Sequence, residues 1–430
     1  MLRDISAFAL ANIVSKLAGL LFVPFIILKI SPEEFGLYDS FLVVFTVVSS
    51  LIGLGLDSGT ANYLANYSRN SGLLTTLYSV SIYVYLLNML LLFITFTCLS
   101  YWEVSLIKIS SRSSYMLLWI YVFFEYFNYI AFNFLRWTGR GSFSAGIKAI
   151  ISLLSYSLGA LLITLSQSNA HNLLIGLILG SFVGFLTYGF FSYRYITFKI
   201  SKWRLPLIRK VLVQSIPFVP MSLTKTLSLP IERGIVSNFA SAELYGYYSI
   251  FSRVGQMPVF LFASLSAAVH PYLFKGFGSL ATKRLTKLIF NSFLISAFFI
   301  FIVMNIWESY ILQVFHIDEV PNELKGLLSV LFIGQFAKVL RSLFSNGFLV
   351  SGVTSYQLIL SFIGVLLLAV FGRVIFMNYD VTGFIYYLTL LSVLMSVISV
   401  YWSEYLNSSG INANFFVAML ILSLAIQMLF

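Results

Sequence analysis

The feature that most constrains this chain is a succession of long apolar runs that extends from one end of the sequence to the other. A run of about 20 apolar residues can cross the hydrocarbon core of a bilayer as a helix. A transmembrane barrel would instead need alternating segments of about ten residues, which the sequence lacks. The runs in the first half are 5–30, 35–56, 73–99, 115–135, 143–165 and 173–195. Those in the second half are 211–239, 244–273, 288–315, 324–350, 356–376 and 381–405.

Composition leads to the same fold class. The chain is 59% hydrophobic and 10% charged, whereas a soluble domain has about 25% charged residues. We therefore predict an all-α polytopic membrane protein with 12 core transmembrane helices. A further apolar run at 411–430 follows a polar break, and this thirteenth segment either crosses the membrane or lies beside the bundle.

A short internal repeat divides the chain into two halves. The stretch SPEEFGLYDSF at 31–41 and the stretch SAELYGYYSIF at 241–251 share Ser, Glu, Gly, Tyr and Phe at the same offsets. Each stretch comes just before the second apolar run of its half, which predicts two parallel six-helix repeats. The predicted domains are a first half, a basic cytoplasmic linker, a second half and an extra C-terminal segment: 1–198, 199–210, 211–406 and 407–430.

The distribution of charge predicts the topology. The net charge is +11, and most of the 26 lysines and arginines lie at the N-terminus or in the loops after the even-numbered runs. Basic residues resist translocation, so we predict a multi-pass protein of the bacterial inner membrane with a cytoplasmic N-terminus. The basicity reflects this topology and attraction to anionic lipids, and does not indicate a nucleic-acid partner.

Motifs for covalent chemistry are missing from the sequence. It has no P-loop, no Cys-x-x-Cys pair and no cluster of histidines, and no long loop could form a soluble catalytic domain. We therefore expect no cofactor, no metal and no enzymatic activity.

Several basic residues fall deep within the apolar runs. A charge at this depth is costly and usually faces a water-filled cavity or a partner of opposite sign. The deep bases are Lys16, Lys225, Arg253, Lys338 and Arg341. Their excess over deep acids predicts a central cationic cavity that binds an anion.

Three acids are candidate counter-ions or coupling residues: Glu125, Asp57 and Glu232. A simpler alternative is that these acids neutralise the bases as buried pairs and leave no site. Only Glu125 lies as deep as the bases, so pairing does not account for all five of them. A buried carboxyl group can also exchange a proton, which makes Glu125 the candidate for proton-coupled release.

Three stretches together resemble a known family. They are NIVSKLAGLLFVPFIILKISPEEFGLYDSF followed by GLGLDSG, the turn LRWTGRGSFSAG, and ERGIVSNFASAELYGYYSIFSRVGQMPVF followed by HPYL. In order and spacing, residues 1 to about 406 resemble the bacterial polysaccharide flippases of the multidrug/oligosaccharidyl-lipid/polysaccharide (MOP) exporter superfamily. The resemblance is to the Wzx-type O-antigen flippases in particular.

The resemblance implies a transporter for lipopolysaccharide biosynthesis and polysaccharide export. Its expected substrate is an undecaprenyl-pyrophosphate-linked oligosaccharide, the O-antigen or a related repeat unit, which is flipped to the periplasmic leaflet by alternating access. Expected partners are membrane lipids and a polysaccharide polymerase complex. In this hypothesis Arg253, Lys16 and Lys225 hold the pyrophosphate, while Lys338 and Arg341 meet the sugar or phosphate.

Other functions stay open at this point. The nearest alternative is a MATE-like exporter of drugs or small cations on the same fold, which would need acidic residues in its cavity. A lipid II flippase of this superfamily usually has 14 spans. A membrane enzyme would need an acid/base constellation that the sequence lacks.

Overall fold

A computed structural model shows a chain built from helices. It describes residues 2–53, 55–56, 60, 64, 71–101, 112–166, 169–197, 205–215, 218–275, 279–317, 320–344 and 354–406. The described residues contain no β-strand. The predicted C-terminal segment at 407–430 lies outside them.

The helices of the first half follow the predicted apolar runs closely. They are α1 (Leu2–Ile27), α2 (Pro32–Gly53), α3 (Ser71–Tyr101), α4 (Arg112–Leu135), α5 (Gly141–Leu165) and α6 (Ala170–Ser192). A π-helical turn, Arg136–Arg140, joins α4 to α5, and a 3-10 turn, Tyr193–Tyr195, follows α6. Gly139 has φ 89° in the π-helical turn, a left-handed conformation that glycine adopts without steric cost.

The second half likewise consists of helices along the predicted apolar runs. Its helices are α7 (Leu205–Ser215), α8 (Phe218–Phe239), α9 (Ala242–Lys275), α10 (Leu280–Ile306), α11 (Glu308–Val314), α12 (Leu328–Phe344) and α13 (Thr354–Leu406). A 3-10 turn, Asn322–Leu324, precedes α12. The predicted run 288–315 is divided, because the helix breaks at Trp307 between α10 and α11.

Length and composition confirm a polytopic membrane protein. The described residues contain six helical stretches that are long and apolar enough to span a membrane. Two of them, Ser114–Leu165 and Tyr356–Tyr405, have 52 and 50 residues, more than twice the about 20 residues that one crossing needs. The second bends at Tyr379 and Asp380, which leave the helical region between the predicted runs 356–376 and 381–405.

The chain forms two compact units. The first contains Met1–Phe22 and Leu37–Pro230, and the second contains Val23–Gly36 and Ile231–Phe430. The second unit therefore includes the end of α1 and the start of α2. The domain boundaries expected from the sequence remain predictions.

The two copies of the repeated sequence contact each other within the second unit. A Cβ atom placed on Gly36 would lie 2.9 Å from Cδ1 of Tyr245 and 3.3 Å from Cα of Gly246. A Cβ atom on Gly246 would overlap the carbonyl group of Pro32. The glycine shared by the two copies therefore allows α2 and α9 to approach with their backbones in contact.

A stripe of small residues organises the first unit. Gly176, Gly180 and Gly184 recur every fourth residue and lie on one face of α6. Gly176 and Gly180 face α5, while Gly184 faces Asn128 on α4. Small residues let membrane helices pack closely, and close packing is a main source of helix association in lipid.

Replacing Gly246 by alanine should destabilise the protein. The added methyl group would overlap the backbone of Pro32, which cannot rotate away as a side chain can. We expect a loss of about 1–3 kcal/mol in the free energy of unfolding, measured by thermal denaturation of the purified protein in detergent. The matched control is Gly234→Ala on α8, where nothing lies within 4 Å of the added Cβ. Equal stability of the two variants would contradict the backbone contact.

Gly176→Ala should likewise weaken the first unit. Its Cβ would overlap backbone atoms of Gly159 on α5, so the two helices would have to separate. We expect about 2 kcal/mol of destabilisation in the same assay. Gly189→Ala, on the same helix with open space around the new methyl group, should be neutral or stabilising by up to about 1 kcal/mol. An unchanged melting temperature for Gly176→Ala would show that α5 and α6 tolerate a wider spacing.

Candidate anion-binding site

The structure describes the side chains of five of the predicted site residues: Glu125, Glu232, Arg253, Lys338 and Arg341. Lys16 lies in α1 and Lys225 lies in α8, but their side chains are outside the described part of the chain. Asp57 is outside it altogether.

Glu232 and Lys338 form an ion pair in the second unit. The Lys338 ammonium group on α12 lies 3.4 Å from Oε2 of Glu232 on α8. The Tyr248 hydroxyl on α9 donates a 2.8 Å hydrogen bond to the other oxygen, Oε1. The Glu232 side chain is 1% exposed and that of Lys338 is 38% exposed. Lys338 therefore acts as the counter-ion of a fully buried carboxylate.

A second cation lies beside this pair. Arg233 is buried, and its Nη2 donates a 2.7 Å hydrogen bond to Oγ of Ser252 on α9. Its guanidinium carbon lies 4.7 Å from the centre of the Tyr248 ring, which is a cation–π geometry. Charged and hydroxyl groups therefore join α8, α9 and α12 at this point. They belong to Glu232, Arg233, Tyr248, Ser252 and Lys338.

Arg341 lies one helical turn beyond Lys338 on α12 and has a different environment. Its Nη2 donates a 2.8 Å hydrogen bond to Oγ of Ser361 on α13. The side chain is half-buried, and within the described residues no carboxylate lies within ion-pair distance of it. Arg341 is therefore a partly buried cation whose charge is not balanced by a described acid.

Arg253 on α9 packs against an aromatic ring. Its guanidinium carbon lies 5.3 Å from the centre of the Phe35 ring, and Phe35 is buried in the second unit. At about 1.5 Å per residue, Arg253 lies about 16 Å along the helix from Ala242, where α9 begins. The structure therefore places this base well inside the helix.

Positive charge exceeds negative charge in this part of the second unit. Among the described side chains in the interiors of α8, α9 and α12, one is an acid and four are bases. The acid is Glu232 and the bases are Arg233, Arg253, Lys338 and Arg341. Bases therefore outnumber acids among the described side chains of these helix interiors.

Glu125 lies in the first unit, on α4, and lines a cavity of about 180 Å³. Oε2 of Glu125 accepts a 2.9 Å hydrogen bond from the Ser181 hydroxyl on α6. Lys148 on α5 lines the same cavity and attracts the carboxylate electrostatically. Nothing in the sequence signals this role for Lys148, because a base near the start of the run 143–165 is typical of the cytoplasmic surface. Only the packing of α4 against α5 shows that Lys148 and Glu125 share a cavity.

Solved structures of transporters have the same fold. An inward-facing multidrug-resistance MATE family transporter of the MOP superfamily superposes with a TM-score of 0.65, covering 96% of this chain and 95% of that one at 15% sequence identity. A MATE protein in a bent conformation gives a TM-score of 0.64 at 15% identity, covering 98% and 96%. A MOP superfamily transporter from Pyrococcus furiosus, described as having a binding pocket of reverse polarity that suggests a different function, gives 0.62 at 13% identity, covering 94% and 95%. At these identities the similarity establishes the fold.

Sequence comparison supplies the family. No curated protein matches the chain. The family model described as polysaccharide biosynthesis protein matches residues 1–277, which is more than half of the 430-residue sequence. Together with the MOP superfamily fold, this match confirms the resemblance that the sequence motifs indicated. The chain belongs to the polysaccharide biosynthesis protein family.

Proposed function

We propose that this protein flips an undecaprenyl-pyrophosphate-linked oligosaccharide from the cytoplasmic to the periplasmic leaflet of the bacterial inner membrane. The repeat unit is that of an O-antigen or a related surface polysaccharide. The protein moves it by alternating access and catalyses no covalent step. The observation that carries this proposal is the surplus of partly buried cations on α8, α9 and α12.

The excess of basic over acidic side chains in these helix interiors fits a pyrophosphate better than it fits a neutral or cationic substrate. An unbalanced cation inside a membrane protein is costly unless an anion or water can reach it. A guanidinium group presents a planar fork of donors that matches phosphate oxygens, and its charge persists at every physiological pH. Arg341, whose charge no described acid balances, therefore has the chemistry of a pyrophosphate contact, and Arg253 supplies a second guanidinium group in the same unit. We include Lys16 and Lys225 in this proposal because they lie deep within apolar runs of the sequence.

The contacts divide the roles of the two bases on α12. Lys338 faces Glu232 and stabilises its buried carboxylate, so much of its charge is already balanced. Arg341 contacts a hydroxyl group, Ser361, which a phosphate oxygen can replace as acceptor. We assign the main contact with the anion to Arg341 and a supporting role to Lys338. Asp57 remains in the proposal as a counter-ion.

The nearest alternative is a MATE-like exporter of drugs or small cations. Such a cargo would need a carboxylate that is free to meet it. Glu232 is paired with Lys338, and Glu125 shares its cavity with Lys148. On the same fold, the Pyrococcus furiosus transporter is described as having a pocket of reverse polarity that suggests a different function. This description supports the idea that the sign of the charge separates functions on this scaffold.

Charge reversal at Arg341 should strongly reduce glycan export. The gene is deleted in its native bacterium and complemented with the wild-type chain, with Arg341→Glu, or with the control Lys325→Glu. Lys325 is an exposed residue that donates a hydrogen bond to Asn322. Loss of a charge-assisted contact and its replacement by repulsion should reduce export about tenfold or more. Surface polysaccharide and lipid-linked repeat units of the inner leaflet are measured together, with membrane insertion checked by immunoblot.

Each result distinguishes the candidate functions. Lost surface glycan with accumulated lipid-linked units, restored by the wild-type chain and by Lys325→Glu but not by Arg341→Glu, would support the flippase. Unchanged glycan in the deletion strain, together with new sensitivity to cationic drugs, would overturn it in favour of the exporter.

The two bases on α12 should also differ in their contribution to stability. Lys338→Gln leaves the buried Glu232 carboxylate without its counter-ion, which should cost about 3 kcal/mol. Arg341→Gln disturbs a hydrogen bond to a hydroxyl group and should cost about 1 kcal/mol. Thermal unfolding of the purified variants in detergent measures the difference. If Arg341→Gln were the more damaging substitution, the assignment of Lys338 as the counter-ion would be wrong.

A further inference from the structure

The first unit contains a cavity that the cationic site does not use. Its volume is about 180 Å³, and four helices, α1, α4, α5 and α6, contribute to its lining. Drug-sized ligands occupy pockets of about 300–1,000 Å³, so this cavity fits a smaller group. It has room for one ring with its substituents.

The lining is dominated by groups that can form hydrogen bonds. The Ser15 and Ser152 hydroxyls lie 2.8 Å apart across α1 and α5. Asn128 is 5% exposed, and its Nδ2 donates a 2.9 Å hydrogen bond to the backbone carbonyl of Ser181. Its Oδ1 has no hydrogen-bond partner among the described groups. A buried acceptor left without a partner costs free energy, so this oxygen indicates a ligand that supplies a donor.

The charges in the cavity select against ions of either sign. Glu125 and Lys148 both line it, one carboxylate and one ammonium group. The carboxylate would repel a phosphate, while the ammonium group would repel a metal ion or an organic cation. A neutral ligand with many hydroxyl groups can donate to the first and accept from the second, so both charged groups gain contacts.

Aromatic rings form part of the wall. The ring of Tyr121 packs against Phe45 with 4.6 Å between centroids, and Tyr156 stacks on Phe22 at 6.3 Å with 13° between planes. These neighbours fix both tyrosines in place. Both rings line the cavity and add apolar surface to its wall, and Tyr121 lies one helical turn before Glu125 on α4.

We propose that this cavity binds one neutral sugar ring of the transported oligosaccharide. A sugar combines ring-sized volume, several hydroxyl donors and acceptors, and an apolar C–H face, which are the properties that the lining complements. The inference rests on the proposed function, because it assigns the glycan part of that substrate to the first unit. It leaves the pyrophosphate contacts of that proposed function unchanged.

Saturation-transfer NMR on the purified full-length protein tests the proposal. The protein is placed in lipid nanodiscs, because a detergent with a sugar headgroup would compete. The probes are glucose, galactose and N-acetylglucosamine as neutral sugars, glucosamine as a cation and glucuronate as an anion. Ser152→Leu fills the cavity, and Tyr121→Phe removes one hydroxyl while it keeps the ring that packs on Phe45. Tyr193→Phe is the matched control, since Tyr193 is exposed and lies outside the cavity.

We expect a signal from at least one neutral sugar and a much weaker signal from both charged ones. Ser152→Leu should abolish the signal, Tyr121→Phe should weaken apparent affinity about fivefold, and Tyr193→Phe should leave it unchanged. No neutral-sugar signal, an equal signal in all variants, or a preference for a charged sugar would overturn the proposal.

The export assay shows whether a negative binding result concerns only the sugar site or the proposed flippase function as well. If deletion abolishes export but no neutral sugar binds, the sugar site is wrong and the flippase stands. If deletion leaves surface glycan unchanged, the flippase is wrong, and the sugar site falls with the substrate from which it was inferred.

Discussion

The close approach of helix backbones is the constraint on which this structure depends. Lipid is as apolar as leucine, so helices in a membrane are not driven together by exclusion of water and must gain their stability from packing and hydrogen bonds. Glycines supply the packing at the contacts that matter most. In the second unit Gly36 meets Gly246, and in the first unit Gly176 meets the α5 backbone at Gly159. The internal repeat is thereby explained, because both of its copies are needed to make one contact.

The same scaffold allows charged side chains to be held inside the helices. Glu232 is tolerated at 1% exposure because α9 and α12 bring it a hydroxyl and an ammonium group. Such a pair does little for net stability by itself, since desolvation offsets much of the attraction. Its effect is to fix the positions of α8, α9 and α12 relative to one another. Arg341 is then presented at a defined place one turn away from Lys338.

The two compact units treat buried charge differently. In the first, the Glu125 carboxylate and the Lys148 ammonium group line one cavity, so the charges balance. In the second, one carboxylate accompanies several bases in the interiors of α8, α9 and α12. The balanced charges of the cavity support the proposed sugar site, and the excess of bases supports the proposed contacts with pyrophosphate.

The sequence by itself determined the fold class, most of the spans and the depth of the bases, because apolar length and charge are local properties of the chain. It also indicated the break between the two limbs of α13 and the family. It merged α10 with α11, since an apolar run does not show where a helix is interrupted. The tertiary structure alone decided that Glu232 meets Lys338 and that Glu125 shares a cavity with Lys148. Membrane helices that are apolar on all sides give no signal of which face meets a neighbour. The partners of a buried charge are therefore fixed by packing, which the sequence pattern does not encode.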